Sequence, residues 1–543
     1  MKKTIFLLFV MWYLPMANTT FAYTHADTLR GSNGRGRAWW DVVHYDLQVG
    51  IDTFAQSIYG TNLMAFRVTE PPGDSMQIDL QEPLELDSVT LVGRGGAKDE
   101  HLSITREQNV FWLQHSFRKL KIGDTCSIMM WYHGMPRKAV RPPWDGGFSW
   151  SHDKEGNPWV AVSCQGLGAS VWWPCKDAQW DEPDNGMVMR FAMPGFRVIS
   201  NGREIAGSND GVSAWEVKNP INTYDVTFYA GDYMHWHDTL MGEKGKLDLD
   251  YWVLRPNEEK AKKQFAVVKE MIHCYEYWMG PYPFYEDGYK LVEAPYLGME
   301  HQSAIAYGNK YMMGYLGGDR SMTGYGKYFD YIIVHESGHE WFGNSITAKD
   351  EADNWIHEGI TTYSESLFAE CTMGKEKAQK YSRGAWMNIQ NSEPVIAEYG
   401  INKEGPGDIY EKGSAIMYMI RKMTNDDGKF RMMLRGLSRE FYHKTVTTAQ
   451  VEAFIAAKTG LDLKAFFEQY LRTTKIPQLE YYIKDGELHY RFTEIVDGFS
   501  LPISVTAGET TKSIAPTAEW QQVKWNGGFN VSFTRDFLMR VKS

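Results

Sequence analysis

Between residues 38 and 235 apolar and polar positions alternate. Tyr45, Leu47, Val49 and Ile51 share one parity, as do Met76, Ile78 and Leu80, with the turn formers Pro71, Pro72 and Gly73 between such runs. Period two is the spacing of a half-buried strand, so this segment is predicted to form a large antiparallel β domain. Past Asn257 the period lengthens: EEKAKKQFAVVKEMIHCYEYW and several later stretches repeat at helical spacing, which predicts a mainly helical domain to about 475. Thr448, ahead of AQVEAFIAAKTG, is placed to cap a helix that Gly460 ends. After Pro477 the alternation returns in Leu479, Tyr481 and Ile483, then Asp485-Gly486, then Leu488, Tyr490 and Phe492, a hairpin signature. The expected class is multidomain α+β: an N-terminal β domain over 23–235, a mainly helical domain over 236–475 and a small β-sandwich-like domain over 476–543.

Residues 1–22, MKKTIFLLFVMWYLPMANTTFA, place two lysines before an apolar run too short for a stable span, then Thr20 and Ala22 at the spacing a signal peptidase accepts. Export to the periplasm or the exterior is expected, with a mature start near Tyr23. No later segment reads as a membrane span. The formal charge of -11 becomes -13 without Lys2 and Lys3, and no basic cluster stands out, so a nucleic-acid partner has no electrostatic footing. The five cysteines, at 126, 164, 175, 274 and 371, are too few and too scattered for a disulfide framework. Cys164 and Cys175 are near enough in sequence to pair, and buried free thiols are the favoured alternative. The 14% aromatic content is assigned to strand-rich cores in preference to sugar-stacking platforms.

The chemistry concentrates in YIIVHESGHEWFGN, residues 331–344. On a helix with one buried face His335 and His339 lie one turn apart and reach one ion, while Glu336, about 100° around from His335, is placed to take a proton from a water. A zinc site needs a third ligand. Glu358 supplies it, 19 residues beyond His339 in NWIHEGITTYSESLF, where another helix begins. Two imidazoles and one carboxylate leave a fourth zinc position open, the mark of a catalytic centre. Glu365, two turns on, is a candidate acceptor for the second N–H of a ligand histidine, with an exposed acid as the alternative.

HESGHEWFGN followed by Glu358 in WIHEG resembles the aminopeptidase N family of gluzincins, with its H-E-x-x-H-x18-E pattern. Three further segments resemble that family, in its order: CQGLGASVWWPCKD, GPYPFYEDGYKLVEAPYLGMEHQ and DIYEKGSAIMYMIR. The resemblance implies a thermolysin-like domain over 236–475, one zinc per chain held by His335, His339 and Glu358, and Glu336 as general base. It further implies that Glu300 holds the free α-amino group of a peptide, that Gln165, Gly298 and Met299 contribute to substrate binding, and that Tyr410 stabilises the tetrahedral intermediate. The implied function is a zinc-dependent aminopeptidase acting on peptides with a free N-terminus.

The pattern departs from the family at His301, at Glu340 and in the C-terminal region, and Gly338 is an unusual residue for a helix interior. His301 stands where the family usually has Asn, which is expected to shift preference at the first residue. Glu340 follows His339 where Gln is common. Gly338 lies inside the metal helix, where close approach of a neighbouring strand is the expected reason. Only about 68 residues follow Lys475 and they read as β, so a site more open than in members with a long helical superstructure is expected. Two other readings stand beside the aminopeptidase: an endopeptidase of thermolysin type, against which Glu300 argues, and a non-catalytic peptide- or glycan-binding protein on the same scaffold.

Overall fold

In a computed structural model, which describes residues 23–542 apart from 207, 209–210 and 528, the strand Trp40–Asp52 runs through the middle of the first half. The expected leader over 1–22 lies outside the described residues. Among the described residues Trp40–Asp52 belongs to an eight-stranded sheet, accompanied in this half by sheets of four and three strands. It pairs antiparallel with Ser57–Val68 on one side and parallel with Met187–Ala192 on the other. The N-terminal region is therefore not purely antiparallel, because half-buried strands alternate identically in either direction.

A five-stranded sheet joins this region to the helices. Its order is Tyr233–Gly242, Gly245–Leu254, Tyr289–Glu293, Ile305–Tyr307 and, at the edge, Gly298–Met299. The first strand runs across the boundary expected near 235, since alternation does not reveal to which sheet a strand belongs. Residues Tyr251 to Leu254 of its second strand are buried on both faces. Tyr251 and Val253 pack with the helices, and Trp252 and Leu254 pack with the N-terminal strands, so successive residues of one strand serve two cores.

The helices Val268–Met279, Tyr331–Gly338, Trp355–Met373 and Asp408–Thr424 form the second core. The Tyr331–Gly338 helix starts at Asp330, whose side chain accepts from the Ile332 and Ile333 amides. Gly338 meets a helix and not the expected strand: a Cβ there would lie 2.5 Å from Ser364 Oγ. The Thr448–Thr459 helix is capped by Thr447, one residue before the expected Thr448, through a capping box with Gln450. Thr448 instead bonds Asp353 and Trp355.

Cys274 and Cys371 form a disulfide, with Cα atoms 6.2 Å apart, which the spacing of the cysteines did not indicate. They sit on two helices that pack side by side, a proximity that a separation of 97 residues conceals. Cys164 and Cys175 are free and buried. Beyond 475 the expected hairpin is present, Gln478–Lys484 paired with Glu487–Thr493, and both turn residues take positive φ, 51° at Asp485 and 76° at Gly486. Among the described residues the C-terminal β region holds sheets of four and three strands. Among the described residues no helix is long and apolar enough to cross a membrane.

Candidate metal centre and substrate cavity

His335 lies in the last turn of its helix and His339 is the C-cap, still in helical backbone at φ -63°. Their Nε2 atoms approach to 3.2 Å. Glu358, in the first turn of Trp355–Met373, brings Oε2 to 3.4 Å from His335 Nε2 and 3.2 Å from His339 Nε2. Ligands about 2.0–2.2 Å from a tetrahedral zinc are roughly 3.3–3.5 Å apart, so the three atoms have the mutual spacing that zinc requires. Glu358 Oε2 is buried and makes no hydrogen bond, which fits an acceptor reserved for a cation.

The opposite ring nitrogens are already engaged. His335 Nδ1 lies 2.8 Å from Glu365 Oε1, and the other Glu365 oxygen accepts from the Tyr381 hydroxyl. His339 Nδ1 lies 3.0 Å from the Phe342 carbonyl, which can only accept. Both Nδ1 atoms thus carry the proton and both Nε2 lone pairs point at the shared position. Glu365 is buried, so of the two roles open to it the structure has the acceptor. Tyr381 carried no sequence signal, being 16 residues further on in another helix.

Glu336 and Glu300 stand beside the triad. Ligand atoms of Glu300, Glu336 and His339 lie within 4.8 Å of one another. Burial pushes the Glu336 carboxyl up to about 8, with His335 opposing and Glu300 adding. Burial also raises Glu300, against the pull of His339. At Glu358 burial works upward too, and the His339 and His335 imidazoles overcome it and hold the carboxyl well below its usual range. The centre is acid-rich and suits a cation.

Around it opens a cavity of about 740 Å³ lined by Gln165, Gly298, Glu300, His335, Glu336, His339, Glu358 and Tyr410 among others. Gln165 Nε2 donates to Glu358 Oε1 at 3.2 Å, so its amide steadies the carboxylate as well as facing the cavity. Tyr410 lies nearly parallel to the His335 ring, centroids 6.0 Å apart. Burial, with Glu358 and Glu404 nearby, drives the Tyr410 phenol far above its ordinary value, and it stays a donor.

Gly298 has a steric role: a Cβ there would lie 2.7 Å from Glu336 Oε1. Met299 does not reach the cavity through its side chain. That side chain is buried in the N-terminal core, because neighbours on a strand point to opposite faces. His301 is likewise buried, with Nδ1 2.7 Å from the Tyr229 hydroxyl, so it does not shape the cavity through its side chain. Glu340 is turned from the cavity and accepts from the Tyr282 hydroxyl and the Ser303 amide.

Residues 263–470 match the Peptidase family M1 domain. The chain is 22% identical to leukotriene A-4 hydrolase of Xenopus laevis over 63% of this chain and 58% of that protein. It is 22% identical to aminopeptidase N of Lactobacillus helveticus over 82% of this chain and 52% of that protein. The chain thus spans little more than half the length of these relatives. A crystal structure of an M1 zinc metallopeptidase from Deinococcus radiodurans shares the fold, with a TM-score of 0.68 and 18% identity over 82% of this chain and 96% of that one.

Proposed function

Because the chain carries a peptidase family M1 domain over residues 263–470, we propose that it is a zinc aminopeptidase that hydrolyses the N-terminal peptide bond of peptides. The observation that carries this reading is the position of Glu300, an acid beside both Glu336 and the converging ligand atoms of His335, His339 and Glu358. His335, His339 and Glu358 would hold the zinc, which would supply Lewis-acid polarisation of the scissile carbonyl and would lower the pKa of a water to about 7.

Glu300 holds the α-ammonium of the substrate by a charge-assisted bond, which fixes the first carbonyl within reach of Glu336. Glu336 takes the proton of the attacking water and delivers it to the departing amine. Tyr410 donates to the carbonyl oxygen as charge develops there. Gln165 holds Glu358 in place, and the Gly298–Met299 strand, at the edge of its sheet, offers backbone groups to an extended peptide. The Cys274–Cys371 disulfide supports export to an oxidising compartment, periplasmic or extracellular.

The test compares a free peptide with its N-acetylated form, with and without chelator, beside Glu336→Gln. Release of the first residue from the free peptide alone is expected, abolished by chelator and reduced about 10²–10⁴-fold in the variant. Equal cleavage of the blocked peptide would point to an endopeptidase, and equal rates for variant and wild type to a binding protein.

A further inference from the structure

A second chamber, about 50 Å³, adjoins the main cavity and shares Gln165, Glu300, Glu358 and Glu404 with it. In an N-terminal residue the ammonium and the side chain leave the same carbon. Glu300 lines both the main cavity and this chamber, so an ammonium held on it leaves the side chain of the same residue at the junction of the two. A water-sized position takes roughly 10–15 Å³, so the chamber has room for about three to five such positions, the girth and length of a straight side chain. The wall is continuous on the N-terminal side: Gly31 sits so close to Ile401 and Asn402 that no side chain fits between, and the Asn402 amide donates to the Asp27 carbonyl at 3.1 Å.

The charges lining the chamber do not cancel. Arg30 is engaged by Asp177 at 3.3 Å, Asp350 accepts from the Ala352 and Gly400 amides, and Lys349 is exposed to solvent. Glu404 accepts from Asn354 Nδ2 at 3.1 Å, an uncharged partner. Glu351 Oε2 is buried and has no hydrogen-bond partner at all. Burial pushes Glu351 up to about 8, opposed by Arg30 and reinforced by Glu404, and pushes Glu404 up to about 8 with Glu358 adding. Both carboxyls line the chamber, so a cation that enters it is attracted by both.

We propose that this chamber receives the first side chain of the peptide and selects a straight cationic one, lysine or arginine, through Glu351 and Glu404. The proposal rests on the aminopeptidase reading above. The test is kcat/KM of the zinc-loaded full chain on substrates carrying lysine, arginine, norleucine, leucine or glutamate. Lysine and arginine should exceed norleucine by about 10-fold to 100-fold, the range of one charge-assisted hydrogen bond, and glutamate should be poorest. Glu351→Gln and Glu404→Gln should bring the lysine-to-norleucine ratio toward one. Release of norleucine or leucine by the wild type as fast as lysine overturns the chamber assignment and leaves the aminopeptidase intact. Parallel falls on both substrates in the variants mark a structural role and also overturn it. No release from any of the five defeats both readings together.

Discussion

Gly359 and Gly413 meet backbone to backbone: a Cβ added at Gly359 would lie 2.7 Å from Gly413 Cα, and one added at Gly413 would lie 2.6 Å from Gly359 Cα. This contact sets the crossing of the helices that carry Glu358 and Tyr410. Gly359→Ala is expected to force them apart, destabilise the fold by about 1–3 kcal/mol and lower kcat on the order of 10²-fold, the scale of a 1 Å misplacement. Gly73→Ala, whose added carbon would meet nothing closer than 3.9 Å, serves as the comparison. Thermal melts and kcat for the pair decide, and indistinguishable variants would refute the role given to this crossing.

The Glu365 carboxylate orients His335 through Nδ1. Glu365→Gln keeps the shape, and its amide can present either an acceptor or a donor to that nitrogen. Zinc affinity should fall about 10–100-fold, read by titration with a competing chelator. Unchanged affinity would mean that the ring is held by packing between Tyr331 and Tyr410, with which it is stacked at 14° and 23°.

Tyr410→Phe removes one hydroxyl from the cavity wall. A loss of about 10²–10³ in kcat is expected, with KM little altered, because the donor matters most where negative charge develops. A rise in KM at constant kcat would reassign Tyr410 to ground-state binding.

The Cys274–Cys371 disulfide closes a span of 97 residues that contains His335, His339 and Glu358. Cys274→Ser with Cys371→Ser should lower stability by about 2–4 kcal/mol, measured by denaturant unfolding. Wild type treated with reductant should shift the same way, and the double variant should not respond to it.

Burial pushes His301 down to about 3. Its unfolded value is near 6.5, so between these values the unfolded chain binds a proton that the folded chain refuses. The His301 contribution is present above about pH 6.5 and is lost as pH falls toward 3. His301→Asn lacks that titration. The difference in melting temperature between wild type and variant should therefore move in favour of the variant from pH 7 to pH 4, and a constant difference would show that His301 is not buried neutral.

What the sequence by itself determined is local and periodic. Alternation marked the strands, helical spacing marked the His335 helix, and H-E-x-x-H with Glu358 picked out the three side chains whose ligand atoms converge, since a metal centre demands particular residue types at particular separations. The Asp485-Gly486 turn was legible for the same reason: two neighbouring residues suffice to specify it. Tertiary structure alone decided which strands pair in parallel, that Cys274 meets Cys371, that Met299 and His301 turn into the N-terminal core, and that Glu351, Glu404 and Arg30 gather beside Glu300. Each of these depends on contacts between segments far apart in the chain, and side-chain periodicity carries no information about which distant surface a face will meet.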